Sequence, residues 1–167
     1  MARIPVVSES DEVIGYKERE ALIAGDIYRV SGVWITDPAG RVLLARRALT
    51  KDNEPGKWGP AVAGTVEEGE SYEANALKET REEIGLILAP NDLVPLHKTL
   101  RRTKTRTYFA QWYGYQYSGS LDSLELDARE VDSVRWVDPP ELAREIREHP
   151  ETFVPTAVQW EGVLLRM

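Results

Sequence analysis

The sequence predicts an α/β fold in which a mixed β-sheet carries helices on both of its faces. Segments typical of strands alternate with segments typical of helices, which is the pattern of a layered α/β domain. The turn Asp37-Pro38-Ala39-Gly40 joins two predicted strands directly, so at least one strand pair is antiparallel and the sheet is not purely parallel. A chain of 167 residues is long enough for one domain with a sizeable core.

The predicted strands are segments rich in β-branched and aromatic residues. In chain order they lie within 28–37, 41–48, 61–66, 86–100, 105–119 and 131–138. A further short strand is expected around Val13 and Ile14. We expect residues 1–27 to form an extension that packs on a single domain spanning 28–167.

The predicted helices are defined by the residues at their ends. Ser71 is a good N-cap and Gly85 a good C-terminal stop, so they predict a helix over 72–84. The segment 139–150 begins with two prolines. Proline is favoured in the first turn of an α-helix, so a second helix is predicted over this segment. The segment 152–167 predicts a further helix that closes the chain.

Composition narrows the class of function and the expected location. The net charge of −7 and the pI near 5.0 disfavour a nucleic-acid polymer as partner, whereas a bound divalent cation would still allow a small anionic substrate. The chain contains no cysteine, which excludes disulfides, thiolate metal sites and cysteine nucleophiles. Without an apolar run of membrane length or a signal-peptide pattern, we expect a soluble cytoplasmic protein that binds no membrane.

The helix predicted over 72–84 concentrates acidic residues on one side. On a helical wheel Glu79, Glu82 and Glu83 fall together, next to the side that would pack on the sheet. Like charges at this spacing repel each other, but they become favourable around a hard cation such as Mg²⁺ or Mn²⁺. A solvated helix face is the simpler alternative.

The spacing of these residues is that of a known signature. Gly64, Glu70, Glu79, Glu82, Glu83, Gly85 and Leu86 match G-x5-E-x7-R-E-U-x-E-E-x-G-U, where U is aliphatic. The chain therefore resembles the Nudix hydrolases over roughly residues 28–145, and the resemblance implies an α/β/α sandwich. Two positions depart, with Lys78 at the signature arginine and Thr80 at the first aliphatic residue. In the family that arginine braces the loop through the early glutamate, so the resemblance implies that Glu70 braces towards Lys78, although lysine lacks the bidentate fork of arginine.

The resemblance implies a hydrolase that cleaves the P–O–P bridge of a nucleoside diphosphate derivative or a similar organic diphosphate, with Mg²⁺, or alternatively Mn²⁺, as cofactor. By resemblance the metal ligands are Glu79, Glu82, Glu83 and the Gly64 carbonyl. Glu82 is the first choice for the general base, and Glu79 is a further catalytic candidate. Among loop carboxylates that could serve instead, Glu125 and Glu130 precede a predicted strand.

Candidate substrate-binding residues come from a strand, a loop and a basic run. Arg46 and Arg47 are adjacent in a strand, so alternation would allow only one to face the cleft and pair with phosphate. Trp58 could stack on a base or sugar, or pack internally. Arg106 belongs to a basic run, residues 101–106, that could reach phosphates or remain solvated.

Two other functions remain open at this stage. Residues 11–15 (DEVIG) and 55–58 (PGKW) also resemble segments of the type 1 isopentenyl-diphosphate isomerases. Ala63 occupies the position of the cysteine that those enzymes use, which disfavours isomerisation as the reaction of this protein. A non-catalytic Nudix-fold module for ligand binding or regulation is favoured only by Lys78, whereas the intact carboxylates argue against it. A small-molecule diphosphate is the expected partner, and a homodimer is possible.

Overall fold

The computed structural model describes residues 2–160 and Gly162, and in this part of the chain a nine-stranded mixed sheet lies between two α-helices. The helices are α1 (Tyr72–Ile84) and α2 (Pro139–Glu148). The strands are β1 (Arg3–Val7), β2 (Val13–Glu18), β3 (Ile27–Thr36), β4 (Val42–Arg47), β5 (Trp58–Pro60), β6 (Val62–Thr65), β7 (Val94–Arg102), β8 (Thr107–Gln116) and β9 (Val131–Val137). The predicted mixed α/β architecture is therefore confirmed.

Strand β3 is the centre of the sheet. It runs parallel to β8 along its whole length and antiparallel to β6 over Val30 to Val33. Its pairing with β4 is limited to Thr36 and Val42 beside the connecting turn. On its other edge β4 pairs with β9, and it also pairs with β5. Because β3 and β4 pair only at the turn, they diverge towards their opposite ends and leave a gap in the sheet.

The side chains of β3 point alternately to the two faces of the sheet, and one α-helix packs on each face. Val33 and Ile35 belong to a core cluster that includes Ile84 of α1. Trp34 points to the opposite face, where it packs in a second cluster that includes Leu142 of α2. Successive strand residues point to opposite faces, so one strand supplies both layers of an α/β/α sandwich.

The caps predicted for the first helix are present in the structure. The Ser71 hydroxyl accepts a hydrogen bond from the Ala74 N–H at 3.0 Å. Gly85 has φ of 77°, a left-handed conformation that glycine adopts without a Cβ penalty, and its N–H donates to the Arg81 carbonyl at 3.0 Å. Helix α1 therefore has the predicted bounds.

The N-terminal residues form more secondary structure than the sequence predicts. β1 was missed, although four of its five residues are buried, and it pairs with β2 and with β3 through Val7 and Ile27. Its run of consecutive buried apolar residues lacks the alternation by which half-buried strands are recognised. The division of the chain into 1–27 and 28–167 stays a prediction.

Asp11, between β1 and β2, ties this hairpin to the rest of the sheet and to α1. Its carboxylate accepts hydrogen bonds from Arg29 Nε at 2.7 Å, the Tyr72 hydroxyl at 2.8 Å and Lys98 Nζ at 2.6 Å. Burial on its own raises the pKa of Asp11, but the hydrogen bonds from Lys98, Arg29 and Tyr72 outweigh it, so the pKa lies below its ordinary value.

The end of the chain differs from the prediction. Over 152–160 the structure has short 3-10 helices in place of the predicted helix, with Pro155–Gln159 the longer of them. Pro155 has no N–H to donate to the turn before it, so a helix cannot continue through it from Phe153. The prediction for 161 and 163–167 lies outside the described residues. Among the described helices none is both long and apolar enough to cross a bilayer.

Candidate active site

A cavity of 520 Å³ occupies the gap where β3 and β4 diverge. Its walls come from β3, β4, β5, β6 and β8, and Glu83 of α1 reaches into it between the strands. Its volume lies in the range of small-molecule sites. The gap in the sheet therefore forms a cleft that a carboxylate enters from one side.

Gly64 lies in direct contact with the Glu79 side chain. A Cβ added at Gly64 would lie 2.4 Å from Glu79 Cγ and 2.5 Å from its Cδ, closer than any real side chain allows. Burial raises the pKa of Glu79 to about 7; the Lys78 ammonium opposes this rise, and nearby carboxylates, Glu82 foremost, add to it. The Glu79 carboxylate is thus a partly buried group held close to strand β6, and Glu79 does not itself line the cavity.

Glu83 is the carboxylate of α1 that lines the cavity. The Ala63 N–H donates to Glu83 Oε2 at 3.4 Å. Burial, followed by the charge of Glu79, raises the pKa of Glu83 well above its ordinary value. Glu82 is exposed and does not line the cavity.

The surroundings of Glu79 and Glu83 show whether a divalent cation would fit beside their carboxylates. Negative charge at Glu79 and Glu83 is poorly compensated by the protein, so a cation beside them would be favourable. Within residues 2–160 and Gly162, no group of three or more acidic or histidine side chains already surrounds a metal position. Mg²⁺ keeps several waters and takes one or two protein carboxylates, so a complete cage is not required. The residues present fit such an ion.

A polar network holds the loop before α1 against the helix. Lys78 pairs with Glu70, and its ammonium lies 3.4 Å from Glu67 Oε2. The Glu70 carboxylate also accepts from Asn75 Nδ2 at 2.8 Å, and Asn75 donates to the Thr65 carbonyl at 3.0 Å. The contact expected between Glu70 and Lys78 is confirmed. Asn75, fully buried and linking the loop to β6, was missed because it lies outside the signature.

Basic side chains gather on the cavity wall. Within the described part of the chain those that line it are Arg46, Arg47, Arg101, Lys104 and Arg106. Arg102, in the same basic run, pairs instead with Glu9 at 3.1 Å. In an acidic chain this local concentration of positive charge favours an anionic ligand in the cavity.

The expectation that only one of Arg46 and Arg47 could face the cleft is wrong, because both line the cavity. Pairing with β9 shifts by one residue at this point, so that Arg46 lies opposite Ser133 and Arg47 opposite Val131. The extra residue, Asp132, lies on β9. Arg47 is the last residue of β4, and its Nε donates to the Asn53 carbonyl at 2.9 Å in the loop that follows, so alternation within the strand does not fix where this long side chain lies. Arg46 Nε donates to the Gly56 carbonyl at 3.1 Å, which fixes its position.

Trp58 does not line the cavity, so the geometry supports its packing interpretation and not its role in binding substrate. The Arg135 guanidinium carbon lies 4.6 Å from the centre of its ring. The ring also packs against the second core cluster, on the α2 side. The sequence alone could not separate these roles, since a tryptophan after a Pro/Gly loop fits either one.

Of the two loop carboxylates, Glu130 lines the cavity and Glu125 does not. Lys51 Nζ lies 2.6 Å from Glu130 Oε2, which orients the side chain. Glu125 lies over the end of α1, where its N–H donates to the Ile84 carbonyl at 3.0 Å. Of these two carboxylates, Glu130 is therefore the one that can reach a ligand, and Glu54, in the loop between β4 and β5, also lines the cavity.

Aromatic residues form an apolar wall that sequence reasoning missed. Tyr28 of β3 and Tyr108 of β8 lie side by side with ring centres 5.4 Å apart, and both line the cavity with Trp112. A Cβ at Gly32 would lie 2.2 Å from the Trp112 ring, so glycine provides the space for it. The three aromatic residues lie on the same side of the neighbouring parallel strands β3 and β8. The sequence does not show that these two strands are neighbours, so it could not predict that the rings form one wall.

Comparison with known proteins agrees with this geometry. A model of the NUDIX domain family matches residues 27–157. A prenyl-diphosphate phosphatase of Methanosarcina mazei is 29% identical over 157 residues, covering 91% of this chain and 88% of its own. An uncharacterized Nudix hydrolase of Streptomyces coelicolor is 32% identical over 154 residues, covering 91% and 82%. An isopentenyl-diphosphate Delta-isomerase of Nocardia farcinica is 31% identical over 132 residues, covering 78% and 75%.

The crystal structure of DR0079 from Deinococcus radiodurans matches with a TM-score of 0.80 and covers 98% of both chains; at 23% identity it supports the fold alone. The family match and these relatives define the class of protein, an α/β hydrolase that acts on diphosphate bonds. The chain belongs to the Nudix hydrolase family.

Proposed function

We propose that this protein hydrolyses the P–O–P bridge of an organic diphosphate by attack of water. The observation that carries the proposal is that Glu83 and the basic residues line the same cavity. Basic side chains hold the phosphates, while the carboxylates provide the negative side of a metal site. Charge neutralisation and positioning are the main requirements of this chemistry.

The metal ligands we propose are Glu79, Glu83 and the Gly64 carbonyl, with Mg²⁺ as the cofactor and Mn²⁺ as a substitute. A bound divalent cation neutralises phosphate charge and lowers the pKa of a bound water. Glu82 stays a predicted further ligand, supported by its influence on the pKa of Glu79. The brace from Lys78 to Glu70 positions the loop that leads from Gly64 into α1.

For the general base we propose Glu130 in preference to Glu82. Glu130 lines the cavity and its carboxylate is oriented by Lys51, whereas Glu82 is exposed outside the cavity. A base must lie within hydrogen-bond reach of the water that it activates. Glu130 accepts the proton as the water oxygen bonds to phosphorus, and the bridging oxygen leaves with the other phosphate.

The substrate class that we favour is an isoprenoid diphosphate. A relative that matches 91% of this chain is a prenyl-diphosphate phosphatase, and an isomerase relative acts on isopentenyl diphosphate. The aromatic wall of Tyr28, Tyr108 and Trp112 offers an apolar surface for the organic group. Isomerisation itself is disfavoured, since the chain has no cysteine.

A substrate panel tests the activity. Farnesyl diphosphate, isopentenyl diphosphate, ADP, a nucleotide sugar and a dinucleotide are incubated with the protein and Mg²⁺, and inorganic phosphate, organic monophosphate and any isomeric diphosphate are quantified. We expect phosphate and farnesyl monophosphate in equal amounts, abolished by EDTA. An isomeric diphosphate without phosphate release would indicate an isomerase, and tight binding without turnover would indicate a binding module.

A pair of matched variants tests the base. Glu130→Gln removes the proton acceptor, so kcat should fall by about 10²-fold or more. Glu125→Gln, in the same segment but outside the cavity, is the control and should retain the wild-type rate. Equal rates for the two variants would refute the assignment of Glu130.

A further inference from the structure

A second cavity, of 230 Å³, lies next to the candidate active site, and most of its wall is polar. Its lining residues are Arg19, Leu22, Ile23, Tyr28, Thr65, Thr105 and Arg106. All but two of them carry a hydrogen-bonding side chain, and the described residues contribute no carboxylate to this wall. The volume is below the range of about 300–1,000 Å³ that is usual for small-molecule pockets, so the cavity suits a small polar group.

The second cavity carries positive charge that the protein does not neutralise. Arg19 and Arg106 both line it, and among the described residues neither guanidinium group pairs with a carboxylate. The chain has 28 acidic against 21 basic residues, so two such arginines at one small cavity favour a bound anion. Arginine suits phosphate in particular, because its planar fork can donate two parallel hydrogen bonds to phosphate oxygens.

Three hydroxyl groups add further donors to the wall of the second cavity. They belong to Thr65, Thr105 and Tyr28. Burial raises the pKa of Tyr28, and the charges of Arg106 and then Arg19 oppose this rise, so both guanidinium groups act on the same hydroxyl. A tyrosine that stays protonated can donate a hydrogen bond to an anionic oxygen.

The segments that carry the two arginines are held in place. In the loop that follows Arg19, the Asp26 carboxylate accepts a hydrogen bond from the Ile23 N–H at 2.9 Å. In the turn between β7 and β8, the Arg106 N–H donates to the Thr103 hydroxyl at 3.0 Å. Segments that are already fixed in this way lose little conformational freedom when an anion binds.

The two cavities adjoin each other beside the proposed metal site. Thr65 lines both cavities and directly follows Gly64, whose carbonyl is a proposed metal ligand. Arg106 also lines both cavities. Because the two phosphates of a diphosphate share one oxygen, a substrate held at the metal by one phosphate can extend the other towards Thr65 and Arg106.

We propose that the second cavity binds the terminal phosphate of the substrate, and that Arg19 thereby selects diphosphate monoesters. The inference rests on the proposed function, because it takes the inner phosphate to lie at the metal site. In a nucleotide sugar or a dinucleotide the outer phosphate carries a further organic group, which a cavity of this size does not hold. An isoprenoid diphosphate ends in a free phosphate and therefore fits.

Binding measurements test this subsite separately from catalysis. One probe is the methylenediphosphonate analogue of farnesyl diphosphate, whose P–C–P bridge cannot be hydrolysed, and the other is farnesyl monophosphate, which lacks the terminal phosphate. Their dissociation constants are measured by calorimetry with Mg²⁺ at low ionic strength, because salt screens exposed charges. The variant is Arg19→Gln, and the matched control is Arg147→Gln, since Arg147 is an exposed arginine of α2 that lines neither cavity.

Arg19→Gln should weaken binding of the diphosphonate by about three- to tenfold, as expected for a charge-assisted hydrogen bond at an exposed position, and leave farnesyl monophosphate binding unchanged. Arg147→Gln should match the wild type with both probes. Unchanged diphosphonate binding in Arg19→Gln, an equal loss for both probes, or the same loss in Arg147→Gln would overturn the inference.

The substrate panel tests the selection of monoesters. The nucleotide sugar and the dinucleotide should not be hydrolysed, and their hydrolysis at the rate of farnesyl diphosphate would overturn this selection while leaving the proposed reaction intact. Selective loss of diphosphonate binding in Arg19→Gln, together with no hydrolysis of any diphosphate, would support the subsite and count against the proposed function alone.

Discussion

Replacing Gly64 by alanine gives a direct test of the contact between strand β6 and the carboxylate of Glu79. The new Cβ would lie 2.4 Å from Glu79 Cγ and 2.8 Å from its Oε1. Gly64 is not among the positive-φ glycines, so alanine causes no backbone strain. The contact is made with a side chain and not with backbone, so Glu79 can move and the fold should survive.

The size of the displacement follows from van der Waals contact. Carbon atoms rest about 3.5 Å or more apart, so the Glu79 side chain must retreat by about 1 Å. A misplacement of about 1 Å in a catalytic arrangement can lower the rate by about 10²-fold. We therefore expect kcat/KM to fall by about 10²-fold, and the midpoint for activation by Mg²⁺ to rise.

The assay is phosphate release from the best substrate of the panel, measured as a function of Mg²⁺ concentration. Circular dichroism and urea unfolding establish that the variant is folded. Gly114→Ala is the matched control, since a Cβ there meets only Leu96 atoms at 3.7 Å or beyond, and Gly114 does not line the cavity. Wild-type activity and Mg²⁺ dependence in Gly64→Ala would show that the position of Glu79 is immaterial and would refute the reasoning.

Three further predictions concern other contacts. Asp11→Asn, which keeps the left-handed backbone accessible, should lower the free energy of unfolding by about 1–2 kcal/mol at neutral pH. Because the folded-state pKa of Asp11 is lowered, this difference should persist above about pH 4 and shrink as the pH falls through the lowered value. Gly32→Ala should displace Trp112 and cost about 1–3 kcal/mol in urea unfolding, with weaker binding of farnesyl diphosphate, measured as a higher KM. Lys78→Met should lower stability by about 1–2 kcal/mol and reduce kcat, because Glu70 loses its ion pair, whereas Lys78→Arg should retain both.

Each of these has an outcome that would contradict it. A stability difference for Asp11→Asn that stays constant as the Asp11 carboxylate becomes protonated in acid would mean that its charge is not the cause. Unchanged ligand affinity in Gly32→Ala would remove Trp112 from the binding wall. If Lys78→Arg were as impaired as Lys78→Met, the loop would depend on the shape of lysine and not on its charge.

Much of helix α1 and its role could be predicted because the relevant signals are local. Ser71 and Gly85 cap the helix through contacts within a few residues, so its bounds follow from the sequence. The spacing of Glu79, Glu82 and Glu83 along one helix likewise brings these residues to one side without knowledge of the rest of the fold. The resemblance to the Nudix family depends on the same spacing, which the family match confirms.

Features that depend on neighbours distant in the chain could not be predicted. Whether Arg46 and Arg47 both line a cavity depends on strands and loops far away in the chain, such as those that carry Tyr108 and Glu130. The packing of Trp58 depends on Arg135. The end of the chain also differs, because 3-10 turns and the pairing of Phe153 with Trp58 replace the helix expected there.

By itself, the sequence determined the mixed α/β class, the capped helix, the carboxylates that it presents and the brace from Lys78 to Glu70. Tertiary structure alone decided which of these groups share a cavity: Glu83 and Glu130 line it with the basic residues, while Glu79, Glu82 and Trp58 do not. The physical reason is the limited pairing of β3 with β4, which opens a gap in the sheet. Periodicity describes the face of one strand or helix, but a cavity depends on how several of them diverge in space.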